Sequence, residues 1–175
     1  ITAGAGAAVL SINGGVFDMS GDNATGTFQV NGGAGGALVL SGGTLCFDVG
    51  SSSDTLLVNG SGQATVFGSS AINITGLSSI KSGTYTLVSD AAGGLTGGFA
   101  STPNPTAVTV GGKIYNLTLS GNDTEEDVIV STVSTNNSLL ALSAGSLAMS
   151  VHMGDTTTLT TASVTNSGTD AGSFT

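Results

Sequence analysis

The sequence contains no arginine and no tryptophan, and its only cationic side chains are Lys81 and Lys113, set against eleven Asp and Glu residues for a formal net charge of -9 over 175 residues. Binding to a phosphate backbone is driven by counterion release onto clustered Lys and Arg, so nucleic acid and anionic membranes are excluded as expected partners. The same shortage counts against a polysaccharide lyase, which needs cationic groups to hold uronate carboxylates. A single cysteine, Cys46, forbids an internal disulfide. Long apolar runs are missing too. No stretch approaches the roughly 20 apolar residues of a membrane-spanning helix, so no membrane insertion is expected. Disorder goes with low hydrophobicity and high charge, whereas here charged residues are 7% and hydrophobic residues 39% of the chain.

What is present is glycine, 29 residues of it, punctuating short alternating apolar packets. VLSINGG (9 to 15), FQVNGG (28 to 33), LVLSGG (38 to 43) and LLVNGSG (56 to 62) each alternate with period two and end at residues that tolerate positive φ. Strand followed by corner is the simplest interpretation. Repeated, it predicts an all-β chain folded as a parallel β-solenoid (β-helix) over residues 1 to 131. The Asn13, Asn31 and Asn59 turns give a loose period. One aromatic ring per coil, from Phe17 to Tyr115, would give six or seven coils and a rod on the order of 30 Å tall, at about 4.8 Å per coil. An antiparallel sandwich is the alternative architecture, but it usually carries more polar outward positions.

The alternation also names a core ladder. In TLCFDVG, Leu45, Phe47 and Val49 share one face, and Thr44, Cys46 and Asp48 share the other. Leu56 with Val58, Phe67, Ile72 with Ile74, and Tyr85 with Leu87 are expected to stack on that first set.

Three runs carry a family resemblance: GTLCFDVGSSSDTLLVNGSGQATVFG, SAINITGLSSIKSGTYTLVSDAAGGLTGGF and YNLTLSGNDTEEDVIV. Over residues 43 to 131 they resemble the passenger-associated β-strand repeat of bacterial autotransporter-like surface proteins. The resemblance implies terminal coils of a right-handed β-helix on a secreted, extracellular or cell-surface protein. Cys46 stands where that repeat usually has a small polar residue, and TEED (124 to 127) adds three acids to the final turn.

After Thr132 the composition shifts to a linker, expected over 132 to 145. Residues 146 to 175 look like the opening strands of a bacterial immunoglobulin-like (Ig-like) sandwich, with a bulge near Thr160 or Thr161. Three strands cannot close a sandwich. Leu147, Met149, Val151, Leu159 and Val164 are therefore expected to be covered by strand exchange with another subunit.

Chemical constellations are sparse. Cys46 and His152 fall in different modules with no orienting third group, and His152 has no second His with which to bind a metal. Asp18 with Asp22, and Asp48 with Asp54, have the residue types of glycosidase acid pairs. Both pairs lie in Gly- and Ser-rich turns, where Asp is favoured for bonding the local backbone. Asp123, Glu125, Glu126 and Asp127 concentrate hard oxygen ligands on one turn, making calcium the best ion candidate, although the spacing lacks the EF-hand pattern. A solvated acidic turn is the simpler interpretation, and no cofactor is expected.

These features predict a non-enzymatic structural protein, a homopolymer-forming fibre (filament) or stalk subunit whose partners are copies of itself. An adhesin binding glycans through exposed Asn, Thr and Asp rows is the alternative.

Overall fold

In a computed structural model the chain is described at residues 10 to 33, 37 to 133, 140 to 142 and 164 to 166. It divides into two units, Ile1–Val133 and Ser134–Thr175. Every regular element among the described residues is a strand.

The first unit opens with nine strands: β1 (Leu10–Asn13), β2 (Val16–Asp18), β3 (Thr27–Asn31), β4 (Leu38–Ser41), β5 (Thr44–Val49), β6 (Thr55–Asn59), β7 (Thr65–Val66), β8 (Ala71–Gly76) and β9 (Gly83–Asp90). They pair by threes. Parallel ladders β1-β4-β7 and β2-β5-β8 form two sheets, and β3-β6-β9 forms the parallel half of a third. Three registers, Leu10 on Leu38, Val16 on Thr44 and Thr27 on Thr55, share one offset. It is the 28-residue step that also separates Gly26 from Asp54.

Inward rows follow the alternation. Phe17, Leu45 and Ile72 stack in register, as do Phe47 and Ile74 on the next row. Phe28, Leu56 and Val88 stack in the third sheet, and Ile12, Leu40 and Val66 in the first. Leu45, Phe47, Val49 and Leu56 are fully buried, and Val58, Ile72, Ile74 and Leu87 are buried as well. Removing such side chains from water contributes about 25 cal/mol per Å² of apolar surface, the main term holding corners this poor in side chains together. Close approach of the turns after β3 and β6 needs glycine at one position in particular. Gly60 has φ +140° and its Cα lies over the carbonyl of Gly32, where a Cβ would collide with that oxygen.

Two expectations are corrected. Phe67 is 65% exposed. β7 places Val66 over Leu40 on the inward row, with Ala64 buried two residues before it, so strict alternation turns Phe67 outward. Tyr85, opposite the buried Val128, is partly buried and packs against the core, and the register shift between Glu126 and Asp127 makes Leu87 and Val88 consecutive buried residues beyond it. The ring-per-coil count also fails. Phe17 and Phe28 touch edge-on with centroids 5.1 Å apart, and each parallel ladder contains three strands, not six or seven.

Residues 107 to 132 leave the parallel pattern. β10 (Ala107–Val110), β11 (Lys113–Gly121) and β12 (Glu125–Thr132) form an antiparallel meander that joins the third sheet in the order β10-β11-β12-β9-β6-β3. Gly111 and Gly112, with φ of 57° and 77°, make the two-residue hairpin loop, both in the left-handed region that such a loop demands.

In the second unit β13 (Leu140–Leu142) pairs antiparallel with β14 (Val164–Asn166). A strand thus lies within the expected linker, and Thr132 belongs to β12, paired with Tyr115. Leu147, Met149, Val151, Leu159 and His152 lie outside the described residues, and Val164 begins β14.

Candidate functional site

The Asp pairs divide into local and long-range bonders. Asp18 Oδ1 accepts bonds from Ser20 N and Oγ, and Asp22 Oδ1 accepts one from Ala24 N, as turn-forming Asp should. Asp48 and Asp54 differ. Asp48 lies on the outward row of β5 yet is fully buried, because the loop between β2 and β3 folds over it and Gly21 N donates to its Oδ2 at 3.0 Å. Asp54 Oδ2 accepts from Asp48 N at 2.7 Å, and its Oδ1 accepts from Gly26 N at 2.8 Å. A backbone bond from Asp54 N to Asp48 O closes the corner. Burial pushes the Asp48 carboxyl above its ordinary value, opposed by the Gly21 bond and reinforced by the charges of Asp54, Asp22 and Asp18. Both carboxylates therefore tie neighbouring layers of backbone, which is structural work. The sequence carried the clue, since Gly21 and Gly26 precede Asp48 and Asp54 by 27 and 28 residues.

Beside this corner is a surface cavity of about 340 Å³ lined by Phe17, Asp18, Met19, Asp22, Thr25, Phe28 and Asp54 among others.

The acidic run 123 to 127 does not converge. Asn122 Oδ1 accepts bonds from Thr124 N, Thr124 Oγ1 and Glu125 N and so organises the β11–β12 hairpin tip. Asp123 Oδ1 reaches away to accept from Gly94 N and Thr96 Oγ1. Glu126 takes the inward row of β12 in phase with Val128 and Val130. Among the described residues no three His, Cys, Asp or Glu side chains are grouped to hold a metal ion, which corrects the calcium candidate Asp123, Glu125, Glu126 and Asp127. The hairpin sends alternate residues to opposite faces, and that divides the acids.

Glu126 lines a second cavity, of about 300 Å³, with Leu95, Thr96, Gly97, Gly98, Phe99, Ala100, Ser101, Leu119, Gly121 and Asn122. The side chain is 7% exposed. Its Oε2 occupies the space over Gly121 that a Cβ would fill, so only glycine at 121 admits it. Burial first, and the Asp127 charge second, push its carboxyl up to about 7. Sequence reasoning placed Glu126 on a solvated turn; its phase with Val128 and Val130 was the available signal to the contrary.

Cys46 is a half-exposed free thiol stacked between Asp18 and Asn73. Burial, then the Asp18 charge, raises its pKa against the opposing Asn73 bond, so it is a poor nucleophile at neutral pH.

No helix among the described residues is long and apolar enough to cross a membrane. No family model, curated protein or solved structure matches the chain.

Proposed function

We propose that the chain is a non-enzymatic structural module of an extracellular fibre or cell-surface stalk, built as a β-solenoid that stacks edge to edge on copies of itself. The observation that carries this reading is the 28-residue first step that three parallel ladders share, Leu10 on Leu38, Val16 on Thr44 and Thr27 on Thr55, followed by second steps of 26, 27 and 32 residues. Three sheets that advance together have the repeat of a solenoid coil. The resemblance of residues 43 to 131 to the passenger-associated repeat agrees with it.

The two ends of the ladders differ. At one end β8 is covered by parallel bridges from Ser70 to Phe99 and from Asn73 to Asn104, and β9 is paired with β12. At the other, β1, β2 and β3 are the last strands of their sheets among the described residues. A strand edge without charge or proline recruits another strand; β1 and β3 carry neither, and β2 carries only Asp18 at its end.

The test is Ser11→Pro. Leu10 N donates to Ala37 O, so in a parallel ladder the next amide, that of Ser11, points away from β4. Proline there blocks the edge and spares the β1–β4 bonds. Wild-type chain is expected to sediment as assemblies that the variant loses, with unchanged β-rich circular dichroism. Equal assembly by both chains counts against stacking through this edge.

A glycan-binding surface is the second reading, favoured by the cavity where the rings of Phe17 and Phe28 adjoin Asp18, Asp22 and Thr25. Apolar rings beside hydrogen-bonding groups are the general make-up of a small-ligand site. Glycan-array binding lost in Phe17→Ala would support it.

A further inference from the structure

We propose that the cavity at the end of the core, between the 95 to 101 segment and the β11–β12 hairpin, binds a primary alkylammonium group, with Glu126 as the counter-charge and Leu95, Phe99 and Leu119 around the alkyl stem. The cavity of about 300 Å³ is at the lower bound of small-ligand sites. Glu126 is more than nine-tenths buried as a residue and lines the cavity, and no hydrogen bond contributes to the perturbation of its carboxyl. A buried carboxyl without a partner is costly, and that cost falls when a cation arrives.

The surroundings supply no such cation. Across the ladder Glu126 faces Gly121 on β11 and Val88 on β9. The 95 to 101 segment brings no titratable side chain. Its own strand adds Glu125 and Asp127, both negative, while Asp123 at the hairpin tip is directed to Gly94 and Thr96, and Asp90 closes the end of β9. Every charged neighbour is an acid.

The chemistry selects the class of cation. A divalent metal needs several oxygen ligands, and no group of three acidic or metal-binding side chains is placed to supply them. An ammonium group needs one carboxylate and a few neutral acceptors, and Thr96 and Ser101 place hydroxyl-bearing residues on the same wall. Three apolar side chains beside these polar groups suit a short alkyl stem such as that of a lysine side chain.

The probe is n-butylammonium, with n-butanol as its uncharged analogue, followed through the methyl resonances of Leu95 and Leu119 in the intact chain. Binding of the cation is linked to ionisation of Glu126. At pH 8 n-butylammonium should bind at least tenfold tighter than n-butanol, and its affinity should fall roughly tenfold per pH unit below about pH 7. Glu126→Gln should abolish the preference for the cation while leaving n-butanol binding unchanged. Equal affinity for the two probes in the wild type at pH 8, or a preference that survives in Glu126→Gln or at pH 5, overturns the proposal. The wild-type comparison requires no variant, so it stands even if the substitution disturbs folding.

Discussion

Asp54 joins two layers of the molecule with one carboxylate, accepting from the amide of Asp48 at 2.7 Å and from that of Gly26, 28 residues earlier, at 2.8 Å. Both amides lie at a corner closed off by the loop over β5, and an amide left there without an acceptor costs free energy. Two charge-assisted bonds contribute about 1.5–3 kcal/mol each, so Asp54→Ala should lower unfolding free energy by about 3 kcal/mol or more. Asp54→Asn keeps one acceptor but aims an NH2 group at the other amide, and should recover at most about half. Urea denaturation of the three chains checks the order; an Asn variant as stable as wild type would remove the double role of the carboxylate.

Phe47, on β5, and Phe67, just after β7, are the same residue type with opposite exposure. Phe47 is fully buried, so Phe47→Ala should cost roughly 3–5 kcal/mol. Phe67 is 65% exposed, so Phe67→Ser should change stability by no more than about 0.5 kcal/mol. A large loss at position 67 in dilute solution would place that ring in a contact which the exposed geometry does not contain.

The Glu126 carboxyl is raised from 4.5 to about 7 in the folded chain. Between those values the unfolded chain has released the proton and the folded chain retains it, so stability falls as pH rises through the interval and levels off above about pH 7. The full difference is at most about 3 kcal/mol at one pKa unit per 1.36 kcal/mol, and solvent screening of the carboxyl reduces it. Asp48 and Asp90, also raised by burial, act with the same sign at lower pH. Glu126→Gln should flatten the urea midpoint between pH 5 and 8 and be the more stable chain at pH 8. Parallel pH profiles for the two chains would show that the carboxyl is not held in its neutral form.

Strand alternation was legible wherever a packet was long enough to declare its phase. TLCFDV shows three inward apolar residues, and Leu45, Phe47 and Val49 are all buried. β7 is two residues long and shows no period, so only the one-ring-per-coil spacing places Phe67 inward. The offset was half visible in the 28-residue interval between Asn31 and Asn59, which stack in register with an Asn59 Nδ2 to Asn31 Oδ1 contact of 3.3 Å. Alternation is the same in parallel and antiparallel strands, which is why residues 107 to 132 read as more coils; the Gly111–Gly112 pair was the one local sign of a hairpin. At the candidate sites, Asp48 was hidden because its cover comes from a loop 27 residues away. Glu126 was hidden among acids that share its turn but not its face.

Shared register also determines how the molecule responds to load. Because the first step of all three ladders is the same 28 residues, stripping β1, β2 and β3 together exposes β4, β5 and β6 as the next edge. A pull on the β1 end would therefore free one layer as a unit, whereas the next layer, with steps of 26, 27 and 32 residues and β9 held by β12, would come away less evenly. The first release frees about 95 Å of contour, at roughly 3.4 Å for every residue let go. The meander of β10, β11 and β12 breaks this rhythm, since its strands are joined to one another in a zipper of opposite sense. Extension from that end would begin with a different first step.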